Sequence, residues 1–379
     1  MLVVAAFLLT GCWDRIEIND RAIVLGMAVD RDPRGGFLLT LSVADPARFP
    51  RPGQPGGALQ PGQKPVSYVQ GSGRTLAEAL SLMQESEPRR FFFGHLKVVL
   101  IGEQVARQGI GPALDFLVRE PQPRPEVMMA VTPGPAGSLL MQATPPLESL
   151  PSEALRELIR LRLGMVVPLY RLVRALYEEG IEAVVPRVEL VPMVDDGLRV
   201  KGWRVNGVGV FRGDRLVGWL DDGQTRGLMW LRGEVQRGTL TVDIDGSPVS
   251  LRLLRARSQL RPVVEGDRVV MEVRVVTEDD LVDNPAGLDL TSPAAIRDIE
   301  RRAAEAIIKR AEVARTIAQQ QLRTDILGFG DAVRRRAPAA WARLGPAWAE
   351  IFPRVEVRYD VRVFLRRPGL ATASPGRSR

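Results

Sequence analysis

A single cysteine, Cys12, is the feature that most limits what this 379-residue chain can build. With one cysteine and one histidine, His95, the chain cannot assemble a Cys/His metal site or an internal disulfide. Core packing alone must therefore hold the fold, and 45% hydrophobic with 26% charged residues suits a folded globular chain. The length favours two or three domains.

Cys12 closes an apolar run, residues 2–9, through the segment Leu9-Thr10-Gly11-Cys12. This arrangement is typical of a lipobox, in which a signal peptidase cleaves before the cysteine and the thiol carries a diacylglycerol. The run is shorter than the ~20 residues of a membrane-spanning helix, which favours a signal peptide over residues 1–11. We predict that Cys12 is lipidated and holds the mature chain on the extracytoplasmic face of a membrane.

Two further points concern this start. No Lys or Arg precedes the apolar run, although signal peptides normally begin with positive charge, so we expect that translation starts further upstream. The alternative interpretation is a buried N-terminal strand that ends in an ordinary cysteine. The position of the unique cysteine favours the lipobox.

The N-terminal half alternates strand and helix patterns. Residues 22–29 and 36–43 predict a hairpin, and Thr75 is expected to cap a helix that runs to about residue 86. Residues 91–102 are dense in aromatic and β-branched side chains and predict one central strand that contains His95. An α+β or α/β arrangement follows.

The second half begins with turn signals between short strands. Antiparallel hairpins are expected at Gly213-Asp214, Asp222-Gly223, Asp245-Gly246 and Gly266-Asp267. A helix is predicted from Ser292-Pro293 to about residue 324, and a closing strand over residues 354–366.

The predicted fold class is α+β and multi-domain, with three lobes, mixed and antiparallel sheets, flanking helices and a long helix near the C-terminus. The predicted divisions are a signal peptide at 1–11, an N-terminal α+β region of two lobes at 12–197, a C-terminal α+β domain at 198–367 and a disordered tail at 368–379.

Candidate chemistry in the sequence is weak. No Gly-x-Ser-x-Gly segment accompanies His95, which we interpret as a structural residue of an apolar strand. The acidic pairs Asp195-Asp196, Asp221-Asp222 and Asp279-Asp280 lack EF-hand spacing and are interpreted as turns. We therefore expect no catalytic residue, no metal site and no cofactor.

The net charge of +7 does not indicate a nucleic-acid partner. The arginines are scattered and interleaved with Asp and Glu, which is typical of solvated faces, and no aromatic-plus-basic RNA-binding motif is present.

The mature start, Cys12-Trp13-Asp14 followed by Glu17-Ile18-Asn19-Asp20, resembles that of the Ger(x)C family of spore germination lipoproteins, the C subunits of nutrient germinant receptors. Further matching blocks are Pro88-Arg89-Arg90, Gly94-His95-Leu96-Lys97, Leu114-Asp115-Phe116 with Arg119, Gly209-Val210-Phe211, Gly218-Trp219-Leu220, Asp325-Ile326-Leu327-Gly328-Phe329-Gly330 and residues 348–353.

The resemblance implies a non-enzymatic α+β subunit of three domains on the outer face of the spore inner membrane. Its implied partners are the membrane-spanning A and B subunits, and nutrient binding by this subunit stays open. We take the segment after the anchor as a hypothetical docking surface, or equally as a linker packed on its own domain. The docking residues would be Trp13, Asp14, Glu17, Asn19 and Asp20.

Two other classes stay open at this point. One is an extracytoplasmic solute-binding lipoprotein, and the other is a lipid-anchored hydrolase that would use His95.

Overall fold

A computed structural model describes residues 17–48, 64–195, 197–285, 287–288 and 290–367. Within these ranges the chain forms one sheet of nine strands and one of four. The predicted signal peptide, Cys12 and the predicted tail at 368–379 lie outside the described residues.

The larger sheet is mixed, with the strand order β3-β2-β1-β5-β6-β7-β8-β9 and with β4 beside the start of β1. Strands β1, β5 and β6 are parallel neighbours, whereas β2 and β3 on one side and β8 and β9 on the other pair antiparallel. The predicted first hairpin, β1 with β2, is confirmed. The strands are β1 (Arg21–Arg31), β2 (Phe37–Ala44), β3 (Val66–Gly73), β4 (Arg90–Phe92), β5 (Val98–Gly102), β6 (Met128–Thr132), β7 (Val184–Asp195), β8 (Leu198–Arg212) and β9 (Arg215–Leu220).

Helices cover both faces of this sheet, which is why every residue of β5 and β6 is buried. The helices are α1 (Leu76–Gln84), α2 (Glu103–Gln108), α3 (Gly111–Arg119), α4 (Ala136–Gln142), α5 (Pro151–Arg160) and α6 (Leu169–Tyr177). Side chains of α1, α2, α3 and α6 share one core cluster, and those of α4 and α5 belong to another. Thr75 caps α1 as predicted, accepting the N–H of Glu78 at 3.1 Å.

The prediction of one strand over residues 91–102 is wrong. β4 pairs with residues 21–23 of β1 and β5 with residues 26–29, so residues 93–97 lie opposite only two residues of β1. The extra residues between β4 and β5 leave the sheet and form a turn at Gly94 and His95. His95 is therefore exposed rather than buried in an apolar strand.

The smaller sheet has the order β10-β11-β12-β13, antiparallel except for the parallel pair β12 and β13. Its strands are β10 (Thr239–Ile244), β11 (Ser247–Glu265), β12 (Arg268–Asp283) and β13 (Glu356–Arg367). The accompanying helices are α7 (Asp222–Arg232), α8 (Pro293–Thr316), α9 (Phe329–Arg336), α10 (Pro338–Leu344) and α11 (Trp348–Ile351). The predicted long helix is confirmed as α8, and its buried residues at helical spacing, such as Ile299, Ala303 and Ile307, join the core of this sheet.

Three of the four predicted hairpin turns are confirmed, at Gly213-Asp214, Asp245-Gly246 and Gly266-Asp267. The turn at Asp222-Gly223 is wrong, because a helix begins there. The Asp221 carboxylate accepts the N–H of Gln224 at 2.8 Å, and the Gln224 amide oxygen accepts the N–H of Asp221 at 3.0 Å. This reciprocal cap starts α7.

The α+β class is confirmed, with its mixed and antiparallel sheets, flanking helices and long C-terminal helix. The predicted division after residue 197 falls in the turn between β7 and β8, which pair as a hairpin of the larger sheet. The division itself stays a prediction.

The interpretation of Asp279-Asp280 as a turn is wrong, because both residues lie inside β12 and are buried. The Thr277 hydroxyl donates to the Asp279 carboxylate at 2.6 Å. Burial, helped by the neighbouring Asp280 carboxylate, raises the pKa of Asp279 to about 6. Since this pKa exceeds that of the unfolded chain, Asp279 favours folding at low pH, and this contribution is lost as the pH rises from about 4 to about 6.

We expect Asp279→Asn to remove this pH dependence. The difference in free energy of unfolding between variant and wild type should move in favour of the variant by up to about 3 kcal/mol as the pH rises from about 4 to about 7. Denaturant unfolding of both proteins at several pH values measures it. The exposed turn variant Asp267→Asn is the control, and a pH trend that matches this control would contradict the expectation.

Candidate functional site

The first described residues lead into β1 along the surface. Glu17, Asn19 and Asp20 are exposed, and a short 3-10 turn at Ile18–Asp20 comes directly before Arg21. The remaining predicted site residues lie outside the described ranges, namely Leu9, Thr10, Gly11, Cys12, Trp13 and Asp14.

Aromatic contacts connect the start of β1 to His95. The guanidinium carbon of Arg21 lies 4.3 Å from the ring centroid of Phe92, which is a cation–π distance. The Phe92 and His95 rings are 5.8 Å apart and tilted by 54°. The point where the chain enters β1 and the exposed imidazole therefore both border the ring of Phe92.

His95 lines a concave groove of about 670 Å³. We call it the basic groove, because six cationic side chains line it against two carboxylates, those of Glu126 and Glu234. We call the nine-stranded sheet with α1–α6 and the four-stranded sheet with α7–α11 the two lobes. The groove lies between them, since its lining comes from the β4–β5 turn, the segment before β6 and helices α5 and α6 of the first lobe, and from the residues after α7 of the second. The six cations are Lys97, Arg124, Arg156, Arg160, Arg162 and Arg171.

Four of these six cations form ion pairs, and they share three carboxylates. Glu153 pairs with Lys97 at 3.4 Å and also with Arg156, while Glu157 lies 3.4 Å from Arg160. Arg171 reaches Glu234 of the other lobe at 2.9 Å.

The other two cations of the groove are the guanidiniums of Arg124 and Arg162. In the part of the chain that the structure describes, neither Arg124 nor Arg162 forms a salt bridge, and Arg162 donates only to the amide oxygen of Gln236 at 2.7 Å. The groove thus has an excess of positive charge in a concave site, where field lines are focused.

The backbone of Arg162 is unusual as well. Its φ of 59° lies in the left-handed region, where helix ends normally place glycine. Such a conformation costs a non-glycine residue on the order of 1–3 kcal/mol. The sequence nevertheless has an arginine directly after α5, with its side chain on the groove.

Sequence reasoning did not find this groove, because its cations are far apart in the chain and were taken as solvated faces. A local signal did exist, since Arg156, Arg160 and Arg162 occur within seven residues. Lys97 and Arg124 join them only because the sheet places β5 beside β6.

A second cluster lies where the lobes meet, around the fully buried carboxylate of Asp325. It accepts the backbone N–H groups of residues 327 to 330 at 2.8–3.2 Å and the indole N–H of Trp348 at 2.8 Å. These donors favour the ionised form, yet the desolvation is large enough to raise the pKa of Asp325 to about 6. The carboxylate fixes the start of α9 and binds it to α11.

Backbone contacts tie this cluster to the connection between α6 and β7. The Asp331 N–H donates to the Gly180 carbonyl at 2.8 Å, and the Glu182 N–H donates to the Asp325 carbonyl at 2.8 Å. Gly180 has a φ of 79°, and a Cβ there would lie 2.5 Å from the carbonyl carbon of Gly330. Only glycine fits this contact between the lobes.

The described residues do not gather catalytic or metal-binding groups. Within them, no group of three or more His, Cys, Asp and Glu side chains could hold a metal ion, and no hydrogen bond joins His95 to a Ser or Asp side chain. None of the helices in these ranges is long and apolar enough to cross a bilayer.

Comparison with known proteins identifies two matching family models. The N-terminal domain model of spore germination proteins matches residues 14–190, and the model for the C-terminal part of B3- and GerAC-like spore germination proteins matches residues 206–369. The first range begins before β1, and the second includes the Asp325 cluster.

Individual relatives cover nearly the whole chain. Spore germination protein KC of Bacillus subtilis is 24% identical over 98% of this chain and 95% of its own length. The putative spore germination protein YfkR of the same organism is 26% identical over 96% of this chain and 94% of its own length. The crystal structure of the GerBC protein superposes with a TM-score of 0.60 and 19% identity, covering 90% of this chain and 96% of that chain, so the fold is shared.

We expect Asp325→Ala to cost about 3–5 kcal/mol of unfolding free energy, because the change leaves several buried N–H groups without an acceptor. Denaturant unfolding measures the loss. Asp331→Ala, at the same helix start, removes only exchangeable ion pairs with Arg334 and Arg335 and should cost about 1 kcal/mol. Equal losses in the two variants would mean that the Asp325 cluster does not hold the junction.

Proposed function

The chain belongs to the Ger(x)C family of spore germination proteins, and on this premise we propose that it is a lipid-anchored, non-enzymatic subunit of a nutrient germinant receptor. The subunit acts by assembling with membrane-spanning A and B subunits on the outer face of the spore inner membrane. The observation that carries the proposal is the succession of both family domains between residues 14 and 369.

The anchor rests on Cys12 and the lipobox before it, Leu9-Thr10-Gly11. Two or more acyl chains hold a protein on a bilayer stably, at about 0.8 kcal/mol per buried methylene. From Cys12 to Arg21 the chain spans at most ~30 Å when fully extended, so the start of β1 stays near the membrane surface.

The docking surface is proposed for the segment that this anchor holds close to the bilayer. Trp13 and Asp14 come directly after the lipid, and Glu17, Asn19 and Asp20 are exposed at its end. An aromatic side chain followed by carboxylates offers an apolar anchor with a charged rim, as protein interfaces require.

A second candidate, an extracytoplasmic solute-binding lipoprotein, is favoured by one observation, the basic groove. Its volume of about 670 Å³ is that of a small-molecule site. Location and partners distinguish the two functions, because a solute-binding lipoprotein works in growing cells without a membrane-spanning receptor partner.

The receptor function predicts that the tagged chain co-purifies with membrane-spanning partners from the inner membrane of dormant spores. We expect Cys12→Ala to lower this recovery strongly, because the variant has no lipid. Immunoblots of spore membranes measure both. Recovery from growing cells alone, with no membrane-spanning partner, would favour the solute-binding lipoprotein instead.

The docking surface predicts that the double variant Asp14→Lys, Glu17→Lys loses partner recovery while it stays in the membrane fraction, because reversed charges no longer complement a surface that binds the carboxylates. Glu350→Lys, at an exposed position of α11, is a control charge swap and should keep full recovery. Undiminished recovery of the double variant would leave the segment as a linker.

A further inference from the structure

We propose that the basic groove is a binding site for a doubly charged phosphomonoester group, carried by a soluble phosphate ester or by a lipid whose headgroup is a phosphomonoester. The proposal goes beyond the assembly function, because it assigns a ligand to side chains that the docking proposal does not use.

Charge gives the first argument. Six cations share the groove and its border with four carboxylates, those of Glu126, Glu153, Glu157 and Glu234. Positive charge is therefore in excess even when all four carboxylates are counted, and Arg124 and Arg162 are the two lining cations without a salt bridge among the described residues. A dianion neutralises them both, whereas a single carboxylate neutralises one.

Hydrogen bonding gives the second argument. Arg156, whose side chain lines the groove, has a buried Nε–H without an acceptor among the described protein atoms, so Glu153 and Glu157 do not fully satisfy this guanidinium. Arg162 donates only to the neutral oxygen of Gln236, so its remaining N–H groups are available. A phosphate has oxygens enough for several guanidinium donors at once, and arginine is the side chain best suited to bind them in pairs.

The shape of the groove indicates an organic phosphate. Its volume of about 670 Å³ far exceeds one inorganic ion and lies within the usual range of ligand sites. Tyr170, which is half exposed, and His95 offer ring surfaces on the same lining. A ligand with a phosphate and an attached carbon skeleton fits both the cationic side chains and the ring surfaces.

The strain at Arg162 supports a binding function. A glycine would occupy this left-handed position without strain, yet the residue is an arginine whose side chain lines the groove. Conformational strain of this kind concentrates at functional sites.

Binding in this groove would also act on the junction between the lobes. Arg171, near the start of α6, lies in the groove, and Glu178, just after the end of α6, pairs with Arg334 of α9 at 3.1 Å. The nine-residue helix spans about 13 Å and connects the two places rigidly. Gln236 and Glu234 extend the lining into the other lobe.

The experiment is a thermal shift of the full-length chain in neutral detergent, because a ligand that binds only the folded state raises its melting temperature. The probes are inorganic phosphate, glycerol 3-phosphate, and phosphatidic acid mixed into the micelles. Sodium chloride at equal ionic strength controls for screening. We expect a rise in melting temperature with at least one phosphate probe that chloride does not give.

The decisive variant is Arg162→Gly. It removes one of the two unpaired charges and also the backbone strain, so its own melting temperature should be equal or higher while its phosphate affinity falls at least about tenfold. Arg124→Gln should weaken binding similarly. Arg323→Gly is the matched control, since Arg323 is also an exposed arginine with a left-handed φ, 48°, but lies outside the groove.

The pattern of probes identifies the source of the phosphate. A response to glycerol 3-phosphate or inorganic phosphate means a soluble ligand, and a response to phosphatidic acid alone means a lipid headgroup. The proposal is overturned if no phosphate probe exceeds chloride, or if Arg323→Gly loses the response as fully as Arg162→Gly. Neither result bears on partner recovery from spores, so the two proposals fail separately.

Discussion

The buried carboxylate of Asp325 is the interaction on which the arrangement of the lobes depends. It accepts N–H groups from the start of α9 and from Trp348. The backbone carbonyl of Asp325 in turn accepts the N–H of Glu182. Removing a charge from water is expensive, and only a full set of donors offsets that expense. The cluster can therefore form only when α9, α11 and the connection after α6 are all in place. The same dependence explains why Gly180 and Gly330 meet backbone to backbone.

From this junction the fold extends to the basic groove through α6. The helix lies with one end at the Asp325 cluster and the other at the groove, where residues of both lobes contribute side chains. A ligand in the groove would contact both lobes directly. Such a contact would couple ligand binding in the groove to the relative position of the lobes.

Much of the fold could be predicted because the signals were local. The hairpin of β1 and β2, the capped helix α1 and the long helix α8 follow from turn residues and from spacing of apolar side chains. The errors occurred where tertiary pairing overrode local pattern. His95 leaves the sheet because β4 and β5 both pair with β1 in a register that leaves too many residues between them, and Asp279 is buried although its neighbours suggested a turn.

The sequence by itself determined the lipobox candidate Cys12, the α+β class and the family resemblance, because each of these depends on residues that are adjacent or regularly spaced. The tertiary structure alone decided that Lys97, Arg124 and Arg162 share one groove and that Asp325 and Trp348 form one buried cluster. The physical reason is distance along the chain. Side chains separated by tens of residues meet only after the strand order is set, and no local propensity specifies that order.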